Sequence, residues 1–236
     1  MRRSRAERGF SIALGLFALV LATYLFLSSP FFQLEIVYIT GNTRYSEADI
    51  LTMAGLQLKQ NLFDINLNDV VKRLEADPRI AQARVRRTLP SGLTVMVEDC
   101  IAVAVLAGRN GLWLIDADGR IIEEVVGPHG HVLITLPQEN PAPVPGEYIS
   151  SPAGRAALAV VTAMPLELTI EVSDVVVHSP DHLQLTTRTG IPVELGAWRD
   201  LNEKLRVLRS LLDQLRCKEA HPSLIDVSVP TSPIVR

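Results

Sequence analysis

This chain has few of the residues and motifs that usually mark catalysis. Of its 236 residues, two are cysteine and 5% are aromatic. It contains no Gly-Xaa-Ser-Xaa-Gly nucleophile turn, no His-Glu-Xaa-Xaa-His zinc motif, no glycine-rich phosphate loop and no Cys-Xaa-Xaa-Cys pair. The sequence therefore does not predict an enzyme, a cofactor or a small-molecule substrate.

Acidic residues outnumber basic ones once the first eight positions, which hold Arg2, Arg3, Arg5, Arg8 and Glu7, are left out. Without these five, the totals of 23 basic and 26 acidic residues become 19 basic and 25 acidic. A surface with this net negative charge and no lysine- or arginine-rich run disfavours contact with the phosphate backbone of nucleic acids. We therefore expect no nucleic-acid partner.

The two cysteines, Cys100 and Cys217, are far apart and belong to no repeating pattern. An oxidising compartment would permit a disulfide, but isolated cysteines more often behave as small buried apolar residues. Nothing in their spacing demands a bridge, so we favour free thiols and leave the bridge open as the alternative.

Two polar pairs suit ordinary structural roles better than chemistry. His129 and His131 flank a glycine in a loop, and no third metal ligand is near them in sequence. Asp116 and Asp118 precede Gly119 between two strand-like segments, where aspartate favours a turn. We therefore predict no metal site and no catalytic carboxylates.

One long apolar run is present, directly after the arginine cluster. No charged residue occurs over 9–34, and 10–27 is almost wholly apolar. A helix of that length spans roughly 27 Å, close to the hydrocarbon thickness of a bilayer. The preceding arginines indicate a cytoplasmic N-terminus. We predict a cytoplasmic tail over 1–9 and a transmembrane helix over 10–28. Its anchoring side chains are Phe10, Leu14, Phe17, Leu21 and Leu25.

A cleaved signal peptide is the alternative interpretation of this run. It would need an apolar core of about 7 to 15 residues followed by small residues at the cleavage site. Here the run is longer, its exit over 24–32 is bulky, and Pro30 ends the helix. We favour the uncleaved anchor and expect everything after residue 28 to lie outside the cytoplasm.

The residues after the anchor carry strand and helix signals in a definite order. Ser46 with Asp49 three residues later indicates a capped helix that ends at Gly55, and Asn66 begins a second helix. The predicted elements are a strand over 34–39, helices over 46–55 and 66–77, and strands over 81–87 and 94–97.

The second half of the chain is rich in short apolar runs bounded by glycine and proline, which are typical of strands. A helix is predicted over 151–164. The predicted strands cover 103–106, 112–116, 120–126, 132–136, 172–177, 183–187 and 191–195.

The helix predicted over 199–216 carries a stripe of leucines at positions 201, 205, 208, 212 and 215. Such a stripe could bind a partner helix, but at under three heptads we favour packing on the chain's own sheet. A last strand over 224–229 would place Ile225, Val227 and Val229 on one buried face. We expect this strand at a sheet edge, with nothing after it to cover it.

The β-α-α-β-β order carries a resemblance to a known domain. With Gly41-Asn42 after its first strand and Leu89-Pro90-Ser91-Gly92-Leu93 near its close, it resembles a POTRA domain, a module that docks polypeptides. One such domain between a single anchor and a strand-rich domain resembles the bacterial FtsQ/DivIB family of cell division proteins. The stretches 112–119, 133–137 and 225–236 and the leucine-striped helix also fit this family.

The sequence departs from the family at one place. Family members commonly carry a basic residue and a proline after the Val-Glu pair, where this chain has Asp99, Cys100 and Ile101. We therefore expect the hinge between the two outer domains to be built differently here.

The resemblance implies an α+β fold in three parts. An N-terminal transmembrane helix is followed by a POTRA domain over 31–99. A strand-rich mixed β domain over 100–236 then carries a C-terminal helix and an edge strand.

The resemblance also implies a non-enzymatic scaffold at the division septum. Such a protein is a single-pass protein of the inner membrane, with most of its chain in the periplasm, and binds the small coiled-coil proteins FtsB and FtsL. Contact is implied at the end of the strand-rich domain, where an edge strand would offer unpaired N–H and C=O groups. The predicted partner-binding residues are Leu224, Ile225, Asp226, Val227, Ser228 and Val229, with Arg206 and Arg209 on the preceding helix.

The alternative function is that of a POTRA-bearing transport or secretion factor of the envelope. Outer-membrane proteins of that kind carry a cleaved signal and many alternating barrel strands, and this sequence indicates neither.

Overall fold

The computed structural model describes residues 5–41, 44–137, 142–218 and 222–236, with side chains described from residue 12 onward. The chain divides into two compact units, Met1–Asp99 and Cys100–Arg236. Each has its own apolar core and mixes helices with strands, in agreement with the α+β class predicted from the sequence.

The first described element is helix α1 (Arg5–Leu27). The side chains of Leu14, Phe17, Leu21 and Leu25 are exposed, whereas that of Phe10 lies outside the described residues. Within the described part of the chain, no helix has the length and apolar character that a membrane crossing requires. The span predicted over 10–28 includes residues 10 and 11, whose side chains lie outside the described residues, and it stays a prediction.

The first unit continues through a 3-10 turn (Pro30–Phe32) into a three-stranded sheet. Its strand order is β1-β3-β2, with β1 parallel and β2 antiparallel to the central β3. This is the predicted β-α-α-β-β order, although Asn42 of the Gly41-Asn42 turn lies outside the described residues. The elements are β1 (Ile36–Thr40), α2 (Glu47–Ala54), α3 (Leu67–Glu75), β2 (Ile80–Thr88) and β3 (Gly92–Asp99).

Local capping defines the two helices of this unit. The Ser46 hydroxyl accepts a hydrogen bond from the Asp49 N–H, and the Asp49 carboxylate accepts one from the Ser46 N–H, so each satisfies a free donor at the start of α2. Gly55 ends α2 in the left-handed conformation, with φ of 65°. Asn66 caps α3 by accepting from the Asn68 N–H at 3.1 Å. The predicted helix starts are confirmed.

The core of the first unit lies between the two helices and one face of the sheet. On β2, Ala83 and Val85 are buried while Arg84 and Arg86 are exposed, as the alternation in sequence predicts. The helices contribute apolar residues such as Ile50 and Leu74, so the opposite face of the sheet remains uncovered by this unit.

The second unit is built on one nine-stranded sheet of order β12-β11-β10-β9-β8-β7-β4-β5-β6. Its strands are β4 (Ala102–Gly108), β5 (Gly111–Asp116), β6 (Ile121–Val125), β7 (Val132–Thr135), β8 (Val172–Ser179), β9 (His182–Thr187), β10 (Pro192–Gly196), β11 (Ile225–Asp226) and β12 (Ile234–Val235). Its helices are α4 (Pro152–Ala163), α5 (Leu166–Glu171) and α6 (Leu201–Cys217).

Both faces of this sheet bury apolar side chains. The larger cluster holds the leucine stripe of α6, with Leu205, Leu208 and Leu212 buried among residues of α4 and the strands. The packing of this stripe on the chain's own core is therefore confirmed. A smaller cluster on alternate positions of β4, β5 and β6 includes Cys100, which is buried and free, whereas Cys217 is exposed and free. The two cysteines form no disulfide.

Candidate functional site

The predicted partner-binding segment 224–229 forms a shorter strand than its alternating pattern indicates. Only Ile225–Asp226 is a strand, because the Asp226 side chain accepts the Ser228 N–H at 2.9 Å and turns the chain. Val227 is fully buried, whereas Val229 is 55% exposed. The expectation that Ile225, Val227 and Val229 share one buried face is therefore wrong for Val229.

The expectation that this segment forms the sheet edge is also wrong. β11 lies between β10, to which it is parallel, and β12, to which it is antiparallel. The chain turns back after β11, and Leu224 and Arg236 exchange two backbone hydrogen bonds of 2.9 and 3.3 Å. Residues after the predicted last strand thus cover it, and the edge moves outward to β12.

The free edge at this end of the sheet is the outer side of β12, as far as the structure describes the chain. Since Leu224 and Arg236 are a hydrogen-bonded pair, the neighbouring pair of Ile225 and Val235 is a non-hydrogen-bonded one. The N–H and C=O of Val235 therefore point away from β11. Ile234 and Val235 are 46% and 41% exposed, so this edge also presents apolar side chains.

A buried lysine holds helix α6 to the strand on which β11 pairs. Lys204 of α6 is 4% exposed, and its ammonium donates hydrogen bonds to the carbonyl oxygens of Leu195 at 2.9 Å and Ala197 at 2.7 Å. These bonds tie α6 to the end of β10, the strand on which β11 pairs. Burial lowers the pKa of Lys204, against the opposing effect of the carboxylates of Asp200 and Asp226.

The sequence analysis missed Lys204, although a signal for it exists. It lies three residues after Leu201 and four before Leu208, which places it on the apolar stripe of the helix. A lysine at such a position is either paired or satisfied by carbonyl groups.

Asp226 is the charged group within the segment. Hydrogen bonds from Ser228 lower its pKa, and the positive charges of Arg236 and Lys204 act in the same direction. The carboxylate is thus held ionised, and its Oδ1 accepts the hydrogen bond that shapes the turn after β11.

The two predicted arginines lie elsewhere on the second unit. Arg206 and Arg209 are exposed on α6, where they line a shallow groove of about 560 Å³ together with Asp213. Arg209 lies 3.5 Å from the Glu167 carboxylate of α5. Among the described residues, no hydrogen bond or ion pair joins either arginine to β11 or β12, so the structure does not bring the two halves of the predicted site together.

The polar pairs set aside in the sequence lie in a turn and in a loop. The Asp116 carboxylate accepts the N–H groups of Asp118 and Arg120 at 2.9 and 2.8 Å, which makes it the turn former that was predicted. His129 is exposed in its loop. No group of three or more potential metal ligands occurs in the described ranges. The free edge of β12, to which a partner strand could be added, is thus the clearest binding feature of the second unit.

Two family models together match most of this chain. Residues 32–99 match the POTRA domain, FtsQ-type, and residues 104–228 match the cell division protein FtsQ/DivIB, C-terminal. The second match ends before β12, so the free edge lies outside the matched region.

Named relatives agree with these models. The chain is 30% identical to "Cell division protein FtsQ" of Mycobacterium leprae, over 93% of this chain and 60% of that protein. It is 26% identical to the protein of the same name from Syntrophotalea carbinolica, over 98% of this chain and 82% of that one. The chain thus spans about 60% of the length of the mycobacterial relative.

A solved structure was also matched, the major extracytoplasmic domain of the trans isomer of the bacterial cell division protein DivIB from Geobacillus stearothermophilus. The TM-score is 0.34 at 14% identity, over 48% of this chain and 93% of that chain. A score of that size supports no argument about the fold.

Proposed function

Because this chain belongs to the FtsQ/DivIB family of bacterial cell division proteins, we propose that it acts as a non-enzymatic scaffold at the division site. Its partners are the small division proteins FtsB and FtsL, as the family resemblance implies. The observation that carries the proposal is the free edge of β12, whose outward N–H and C=O at Val235 suit the addition of a partner strand.

The contact is proposed at β12 and the exposed apolar side chains beside it, in place of the segment 224–229 as a whole. Val229, Ile234 and Val235 are all exposed and can cover apolar side chains of an added strand. Pro233 has no N–H, so the ladder that a partner forms here is short. Arg206 and Arg209 remain a separate, charged surface on α6 for a second contact.

The proposal assigns separate tasks to the parts of the chain. Helix α1 anchors the protein in the inner membrane with its N-terminus in the cytoplasm, as indicated by the arginines before it and its exposed apolar side chains. The POTRA domain over 31–99 and the β domain over 100–236 then lie in the periplasm. There they recruit partners to the septum.

The edge contact is tested with Val235→Pro in the full chain. The outward N–H of Val235 is lost, while the hydrogen bonds between Leu224 and Arg236 are retained. We expect roughly tenfold weaker binding of purified FtsB–FtsL, about the effect of one lost backbone hydrogen bond with its strand geometry. Binding is measured by isothermal titration calorimetry.

Val235→Thr is the matched control, because it keeps the N–H and a β-branched side chain. It should bind like the unmodified chain. If Val235→Pro keeps its melting temperature and still binds FtsB–FtsL with full affinity, strand addition at β12 is wrong.

The division role is tested separately by imaging a fluorescently tagged copy in growing cells. A band at mid-cell during constriction supports a division scaffold. A uniform envelope signal in dividing cells contradicts it and favours a transport or secretion factor.

A further inference from the structure

The exposed apolar residues of the first unit are concentrated at one end of its sheet. Between residues 28 and 99, the large apolar side chains that are exposed are Phe31, Ile36, Tyr38, Leu58, Phe63, Leu89 and Met96. All of them except Tyr38 and Met96 lie at the end where α1 enters the unit. Contiguous apolar surface of this kind usually marks a contact site.

Helix α1 joins this end directly. The Asn61 side-chain amide donates to the Leu27 carbonyl at 2.7 Å and so satisfies one of the free acceptors at the end of the helix. Gln33 and Asn61 form an antiparallel bridge, and the Leu62 N–H donates to the Phe32 carbonyl at 2.9 Å. The helix end is therefore fastened to the loop that precedes α3.

A phenylalanine cluster fills the junction. Phe32 is buried, and its ring centroid lies 5.3 Å from that of Phe26, 5.1 Å from that of Phe31 and 5.2 Å from that of Phe63. Phe26 belongs to α1 and Phe63 to the loop, so one aromatic surface continues from the helix onto the unit.

Two further segments reach the same end through the backbone. The Leu34 N–H donates to the Gln60 carbonyl at 2.8 Å, which brings the segment with Leu58 beside the chain entering β1. The Glu35 N–H donates to the Ser91 carbonyl at 2.8 Å, which brings in the β2–β3 turn with Leu89. Loops distant in sequence, which carry the exposed Leu58 and Leu89, are thus joined through the backbone to the segment that follows α1.

We propose that this apolar collar (Phe31, Ile36, Leu58, Phe63 and Leu89) sits in the interfacial layer of the phospholipid bilayer that holds α1. The proposal rests on the membrane anchor proposed above. Its argument is continuity, because Phe31 and Phe63 pack in the phenylalanine cluster at the fastened end of α1, a helix whose large apolar side chains are exposed. Burying the collar in the interface removes its apolar surface from water and fixes the height of the first unit above the membrane.

Charge does not carry this contact. The charged groups at this end are the basic residues Lys59, Arg86 and Arg87 and the acidic residues Glu35 and Asp64, so both signs of charge are present. Arg87 is also engaged, since it donates to the carbonyls of Leu62 and Ile65 at 2.8 and 2.7 Å. The contact should therefore persist at high salt and in vesicles of neutral lipid.

The test places an environment-sensitive fluorophore at single cysteines in the full chain. Cys217→Ser removes the exposed thiol, and Cys100 is buried, so a new surface cysteine is labelled selectively. Labels at Phe63→Cys and Leu89→Cys report on the collar, and a label at Val20→Cys reports on α1. Met96→Cys is the control, because register places it four residues along β3 from Gly92, or about 13 Å from the collar.

The protein is reconstituted in phosphatidylcholine vesicles that contain a lipid-borne quencher. We expect the labels at positions 20, 63 and 89 to lose most of their fluorescence, at low and high salt alike, and the label at 96 to keep it. Quenching at 20 without quenching at 63 and 89 overturns the collar and leaves the anchor standing. No quenching at 20 overturns both.

Other occupants of the collar give different results. Labels at 63 and 89 that aqueous iodide reaches freely indicate an exposed surface and overturn the proposal. Labels shielded from iodide but not quenched from the lipid indicate cover by protein, such as a second copy of the chain, and overturn it as well.

Discussion

The two units differ in how many of their strand pairings join segments that are distant in sequence: one in the first unit, β1 with β3, and three in the second. In the first unit, β2 and β3 form a hairpin, and the two helices connect β1 to it. In the second, β7 pairs in parallel with both β4 and β8, and β11 pairs in parallel with β10 across the whole of α6. Local signals predict the helices and the hairpin of the first unit, whereas the place of β11 in the second sheet depends on its pairing with β10 across α6.

The largest effects are expected from one destabilising substitution in the core of each unit, which tests whether the two units are stabilised separately. Val227→Pro removes a hydrogen bond of 2.9 Å from its N–H to the Glu194 carbonyl and disturbs a fully buried position, so it should cost the second unit about 3 kcal/mol or more. Ile50→Ala should cost the first unit about 2–5 kcal/mol. Hydrogen exchange of the full chain should show each loss in one unit alone.

Because β11 lies between β10 and β12, Val227→Pro is expected to destabilise the second unit and not to remove partner binding alone. If either substitution lowers protection in both units equally, the two cores are not independent. If Val227→Pro leaves the second unit fully protected, the pairing of β11 is wrong.

A smaller effect is expected from the buried lysine. Lys204→Met keeps the length of the side chain but leaves the carbonyls of Leu195 and Ala197 without their donor, at a cost of about 1–3 kcal/mol. The exposed Lys72 of α3 is the matched position in the first unit, and Lys72→Met should change stability little. Chemical denaturation of both variants measures the difference, and equal stabilities would contradict the role given to Lys204.

Helix caps allow a like-for-like comparison of the units. Ser46 caps α2 by accepting from the Asp49 N–H, and Ser151 caps α4 by accepting from the Gly154 N–H at 3.0 Å. Each change to alanine should cost about 1 kcal/mol in its own unit. Ser46→Ala should cost more than Ser151→Ala, because it also breaks the reciprocal capping box. Thermal melts followed by circular dichroism check the order.

The smallest effect is on the dependence of stability on pH. The ion pair and hydrogen bonds with Arg79 hold the pKa of Asp77 below its ordinary 3.8, and hydrogen bonds from Ser228 do the same for Asp226. A carboxyl group whose pKa is lowered by folding stabilises the folded state. This stabilisation is complete when the pH is above the ordinary pKa, and it is lost as the pH falls through the pKa of the folded state. Both units should therefore weaken below about pH 4.

Asparagine variants separate the two contributions. Asp77→Asn should reduce the loss of stability at acid pH in the first unit, and Asp226→Asn should reduce it in the second. Hydrogen exchange at several acid pH values follows both. An unchanged acid slope in the matching unit would show that the carboxylate contributes nothing there.

Much of the fold follows from local sequence signals. The capped starts of α2 and α3, the strand alternation of β2 and the packing face of α6 were all predicted, because each depends on residues within a few positions of one another. The helix α5 was missed, since it has six residues and directly follows Pro165. β12 was missed because a two-residue strand has no period to detect.

The candidate site was predicted only in its region. The segment that contains β11 was identified, but its role as the edge was assigned to the wrong strand, and Lys204, which holds α6 to β10, was overlooked. Arg206 and Arg209 are exposed on α6, yet within the described residues the structure forms no bond from them to the edge, and their role in binding stays a prediction.

The sequence by itself determined the order of most elements, the capped helix starts and the family, because these depend on short-range spacing and on the order of motifs. Only the tertiary structure decided which strand is left unpaired and which apolar residues form the collar. Both outcomes depend on long-range closures that no local pattern specifies: β11 pairs with β10 across α6, and the collar needs contacts such as Leu34 with Gln60 and Glu35 with Ser91.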